Sequence, residues 1–251
     1  MRRALALILG IALIAGPVGL APAHHVGVFT PKDTDITLNF KQIKASAQAG
    51  RFDVAVKLFD DGILHDTMEK YEKNLPPGLE DGLRAALKAK DLPGVELRLS
   101  IFLAFLTKER VRDALTKLHD PGISRELRWE QVRKILNAAW RYYNLADFVI
   151  MQLNAKASVA LRMAFEDAQS YLGGMMVDPM WAAGSNPCNP RPAKTSEELA
   201  GAARVNSRAV APDEEKALAA LALMERTLAE IIREGTLIAR KGGAKEFLPR
   251  R

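Results

Sequence analysis

The chain of 251 residues is 48% hydrophobic and 26% charged, with a formal charge of +6. This is ordinary globular composition, enough for one large domain or two small ones around a sizeable core. It excludes the dense basic patches interleaved with aromatics that mark nucleic-acid binders, and the single cysteine, Cys188, excludes an intrachain disulfide.

Met1-Arg2-Arg3 precedes the apolar run Ala4 to Ala15, then Gly16-Pro17 and Ala21-Pro22-Ala23. A basic start, a short apolar run, a breaker and an A-x-A site predict a secretory signal peptide over 1–23. The mature chain would begin at His24, carry +4 and have no membrane span. Export is therefore expected, to the periplasm if the source is a diderm bacterium.

Residues 24–36 read as an extended lead-in, and 37–235 as a single helical domain. A first helix should run from Thr37 to Gly50, and a second from Phe52 to Leu75, weakened in the middle by Gly62. A third, from Leu79 to Lys90, should end at Asp91 and Pro93-Gly94. Val95 to Leu118 holds the most hydrophobic run outside the leader, apolar on every side through Leu106, so this helix should be central.

Ser124 to Leu172 then runs without glycine or proline. Trp129, Val132, Leu136, Ala139, Tyr143, Ala146, Ile150, Leu153, Ala157, Ala160 and Ala164 form a seam of 3.5-residue period, with Asp167 next in register. Ile135, Tyr142, Val149 and Met163 widen it. An unbroken helix here would measure roughly 70 Å, so a kink or break is expected at Asn144 or Asn154, the weakest helix formers inside it. Residues 174–194 form one long irregular loop with Pro179, Pro187, Pro190 and Pro192. Pro212-Asp213-Glu214-Glu215 starts a last helix that should end at Gly235, leaving a basic tail over 236–251. The fold class is therefore all-α, a bundle of six to seven helices.

A local echo joins Ala49 to Ala55, Ala89 to Val95 and Tyr142 to Ala146. The first piece resembles the turn of a tetratricopeptide-type helical hairpin. The spacings of 40 and 53 residues differ from the 34 of that repeat, so only weak helical-hairpin character is implied.

Four constellations could carry chemistry. A free amine at His24 with the His24 and His25 rings offers nitrogen ligands suited to copper. Asp61, His65, Glu69 and Glu72 share one helical stripe, which reads as a metal-facing edge or as a solvated acidic face balanced by Lys57, Lys70 and Lys73. Met175, Met176, Met180 and Cys188 place soft sulfurs beside Trp181, suiting Cu(I) or plain packing, while Cys188 could instead link two copies as a homodimer. Arg98, inside the most apolar helix, is expected to pair with Asp147 or Asp167.

There is no C-x-x-C-H, H-E-x-x-H, G-x-S-x-G, Walker loop or dinucleotide fingerprint. The expected function is an exported, non-catalytic binding or scaffold protein that contacts a partner protein or small ligand. The alternative is a periplasmic copper- or iron-handling protein using His24 and His25 or the Met/Cys loop. An enzyme with an acid in the bundle ranks third.

Overall fold

A computed structural model describes residues 33–173, 211–242 and 244. Among them the chain is all helical, with no strand. Its helices are α1 (Asp35–Gln48), α2 (Phe52–Asp60), α3 (Ile63–Lys70), α4 (Leu79–Lys88), α5 (Leu92–Leu118), α6 (Arg125–Leu153), α7 (Ala155–Tyr171) and α8 (Glu214–Arg240). Eight helices stand where six to seven were expected, because two expected helices each divide in two. No helix among the described residues is long and apolar enough to cross a membrane.

The four longer helices form an up-down-up-down bundle. A short turn at 119–124 reverses the chain between α5 and α6. Tyr143 meets Ser158, Trp140 meets Phe165 and Asn137 meets Gln169, so α7 runs back along α6. α8 is antiparallel to α5, with Arg112 on Glu225 and Arg98 on the carbonyl of Ala239. Between them, Gly235 lies against Ile101 and Leu153. α8 continues through this glycine to Arg240 because the missing side chain is what lets three helices close in there. α5 is the central element foreseen from its all-round hydrophobicity, with Ile101 to Leu106 all buried.

Asn154 is the break, and it is a full reversal rather than a kink. Its backbone leaves the helical region (φ −154°, ψ 88°), its side-chain oxygen accepts the N–H of Ala157 at 2.9 Å, and its amide donates to Glu234 at 3.1 Å. Asn144 stays inside α6. The seam continues past the reversal on a wider face. Val132, Leu136, Ala139, Tyr143, Ala146, Ile150, Ala157 and Ala164 are buried as expected, and α7 also turns Leu161, Phe165 and Ala168 inward. Asp167 is exposed, and Met163 is 60% exposed.

Tyr143 sits at the heart of the hairpin, fully buried. Its hydroxyl donates to Asp147 at 2.5 Å and lies 3.1 Å from the Ser158 hydroxyl, while Arg162 closes on the same carboxylate. Burial, then the hydrogen bond to Asp147, pushes the Tyr143 phenol from 10.0 up to about 12. The unfolded chain releases this proton near pH 10 and the folded chain holds it to about pH 12, so stability falls as pH rises through that window. Urea unfolding at stepped pH should show Tyr143→Phe less stable by about 1 kcal/mol at neutral pH. The variant should also lose less of its remaining stability between pH 10 and 12 than the parent does. Equal alkaline losses would contradict the assignment.

The shorter helices α1 to α4 cap one side of α5. Two of the three echoing pieces are the same turn. Gly50 (φ 74°) and Lys90 (φ 57°) both take the left-handed conformation after a helix, and Arg51 and Asp91 then donate back to Ser46 and Ala86 at 2.9 Å each. Pro93 and Gly94 therefore lie in the first turn of α5 instead of ending α4. The third piece, Tyr142 to Ala146, is mid-helix, since a burial pattern without a left-handed residue makes no turn. Lysine at φ > 0 is strained, so Lys90→Gly should raise stability by about 1 kcal/mol in thermal unfolding.

Candidate functional site

The surface of the described residues includes two grooves of small-molecule size. The first, about 460 Å³, runs between α1 and α2 and is lined by Val54 and Leu58 with Asp53, Lys57 and Asp61. Its charges are mixed. One wall is built by Asn39, whose buried amide donates to Leu58 O at 2.9 Å and whose oxygen accepts from Leu64 N at 3.0 Å. That bridge joins the end of α2 to the start of α3 at the break foreseen as a weakness at Gly62. A side chain on Gly62 would collide with both Asn39 and the Leu58 carbonyl.

The second groove, about 400 Å³, lies between the Asn74–Pro77 turn, α5 and α8. Its floor is apolar: Phe105 is 1% exposed, Ile232 is buried and Leu75 is half-buried. Leu237, 50% exposed, stands at the rim. Every charged residue lining it is a cation: Lys108, Arg233 and Arg240. Arg240 donates to Pro77 O at 3.0 Å and ties α8 to the turn.

Lys108 is the least exposed of the three and is only weakly compensated. Its ammonium lies over the Phe105 ring, 5.5 Å from the centroid, and its nearest carboxylate, Glu109, is 4.0 Å away. Glu109 is also bound by Arg112 at 3.0 Å, and Glu225 by Arg112 at 2.6 Å. Burial and then the Arg112 charge lower the Lys108 pKa, with Glu109 and Glu225 opposing. Sequence spacing hides this groove because its three walls come from distant parts of the chain. The only local signal is Lys108, at the point where the all-round apolar pattern of α5 stops.

The expected stripe of Asp61, His65, Glu69 and Glu72 does not survive intact. The break at Gly62 makes Asp61 the cap of α2, and Glu72 falls beyond the end of α3. His65 and Glu69 remain in register, 3.7 Å apart, and the nearer carboxylate is Glu80 of α4 at 3.1 Å. Arg84 reaches the same His65 Nε2 at 3.0 Å and Asp60 at 3.0 Å. Nε2 donates to Glu80 when it carries a proton and accepts from Arg84 when it does not. His65, Asp66 and Glu69 could bring ligand atoms within 4.8 Å of one another, yet Arg84 already supplies positive charge at this histidine. The cluster is best read as a clasp between α3 and α4.

The Arg98 expectation is corrected. Arg98 meets neither Asp147 nor Asp167: it donates to Gly94 O at 3.0 Å and to Ala239 O at 2.8 Å, beside Asp91. Asp147 is engaged by Tyr143, Ser158 and Arg162 on the far hairpin. His24, His25, Met175, Met176, Met180, Trp181 and Cys188 lie outside the described residues. No family model, curated protein or solved structure matches the chain.

Proposed function

We propose that this chain is an exported, non-catalytic helical binding protein, and that the groove between the Asn74–Pro77 turn, α5 and α8 receives its ligand or partner segment. The observation that carries this reading is the union of an apolar floor with three lining cations and no lining carboxylate. A surface with no ligand to hold would gain stability by pairing Lys108 fully; here its potential counter-ions are bound to Arg112. Pockets of roughly 300–1,000 Å³, mostly apolar with a few placed polar groups, are the usual form of a small-molecule site.

The test is native mass spectrometry of protein recovered from its own host, beside Leu237→Asp, which puts an acid at the rim. A ligand or partner retained by the parent and lost from the variant supports the reading. Equal retention by both, or none by either, rejects it. N-terminal sequencing of the same material tests export: a first residue of His24 is expected.

The alternative, copper or iron handling through His24, His25, Met175, Met176, Met180 and Cys188, rests on donor chemistry alone. Metal analysis of the untagged mature protein tests it. Near-stoichiometric copper lost on changing the Met and Cys residues would favour it over the groove.

A further inference from the structure

Resting on the groove as the binding site, the geometry points to a free single-chain amphiphile with a carboxylate head as its occupant. The head sits at Lys108, toward which the Arg233 side chain reaches back along α8 from about one turn away, and the chain lies over Phe105, Ile232 and Leu75.

The antiparallel register of α5 and α8 orders the groove from end to end. Arg112 faces Glu225, Ile101 faces Gly235 and Arg98 faces Ala239, which places Lys108 level with Ala229 and Phe105 level with Ile232. Lys108 therefore stands at one end, the Phe105 and Ile232 floor follows with Arg233 beside it, about one turn of α8 from the level of Lys108, and Leu237 with Arg240 stands at the other. Arg240 is held by the Pro77 carbonyl. Arg233 is exposed and has no ion pair among the described residues, and Lys108 has only Glu109 at 4.0 Å, so the weakly compensated charge lies along the Lys108–Arg233 half of the groove.

Charge decides the head. Burial has already removed much of the water around the Lys108 ammonium, and its closest carboxylate is 4.0 Å away and shared with Arg112. An arriving anion therefore recovers Coulomb energy at little further desolvation of the protein. A planar carboxylate also fits a bidentate bond from Arg233. A cationic head would meet three like charges, and a neutral head would leave Lys108 as it was.

Size decides the tail. About 400 Å³ lies in the range of small-molecule sites, and the Asn74–Pro77 turn walls one side. The floor is continuous from Phe105 to Ile232 and is made of side chains already fixed in the core. Such a site needs little reordering on binding.

The experiment is an NMR titration of the full chain with decanoate below its micellar concentration, beside decanol, decyltrimethylammonium and an acidic leucine-containing peptide. Decanoate should shift the backbone signals of Lys108, Ile232, Arg233 and Leu237 saturably, with decanol at least about tenfold weaker. Lys108→Met keeps the stem and removes the charge. It should weaken decanoate about tenfold and leave decanol unchanged.

Decanol or the ammonium surfactant binding as well as decanoate would overturn the carboxylate assignment and leave the groove standing. The peptide shifting the same signals while decanoate does not would overturn the amphiphile in favour of a protein segment. No shift at these residues with any probe would overturn both. Thermal melts of Lys108→Met, together with its unchanged decanol response, report whether the variant is folded.

Discussion

Replacing Arg98 with methionine should lower unfolding stability by about 3 kcal/mol, because two carbonyls and one carboxylate lose a charged partner together. The guanidinium donates to Gly94 O at 3.0 Å within its own helix and to Ala239 O at 2.8 Å in the last turn of α8. The carbonyls there have no partner further along the helix, and a cation suits that end. Asp91 lies beside it, with a buried Oδ1 that already has no hydrogen-bond partner. Burial lowers the Arg98 pKa and Asp91 opposes the change.

The arrangement depends on two glycines. A Cβ on Gly82 would stand 2.7 Å from Arg98 Nε, and one on Gly94 would stand 2.2 Å from the Asp91 carboxylate. Gly82 is inside α4, where alanine would otherwise gain up to about 1 kcal/mol of helix propensity. Gly82→Ala should therefore destabilise the parent and stabilise the Arg98→Ala variant. A double-mutant cycle by urea unfolding measures this, and a sign that stays the same in both backgrounds would show that Arg98 does not occupy the space above Gly82.

Asn39→Leu should cost about 3 kcal/mol in the same measurement, since it leaves two buried backbone groups without partners. The Asn39 amide is the bond that lets α2 end and α3 begin at Gly62. Gly62→Ala should cost about 2–4 kcal/mol, because its Cβ would meet the Leu58 carbonyl at 2.2 Å and the Asn39 amide at 2.5 Å and 2.7 Å. The carbonyl is backbone and cannot rotate aside. Hydrogen exchange should show faster opening around Leu64 than in α5. Losses under 1 kcal/mol for both variants would mean that the break does not depend on this bridge.

Local chemistry was legible from the residues alone: a helix starts at Ser124, which caps it by accepting from Leu127, and another at the Pro212-Asp213-Glu214-Glu215 stretch, where Asp213 rather than a proline in the first turn begins it by accepting from Lys216. The all-round hydrophobicity of α5 announced the centre of the bundle. Apolar period reports which face of a helix is buried, and capping residues report where backbone groups find side-chain partners. Both are properties of neighbours in sequence.

The tertiary structure alone decided the rest. A heptad seam reads the same whether a helix runs on or doubles back, and Asn154 makes it double back because α7 finds α6 and α8 to pack against. That choice sent Asp167 to solvent and gave Asp147 Tyr143 and Arg162 as partners in place of Arg98. The groove is likewise set by register between distant helices. Lys108 is short of a counter-ion only because α8 places Glu225 against Arg112. Spacing along a chain carries no information about which remote carboxylate will arrive at which cation, so charge balance at the groove emerges only once the helices are packed.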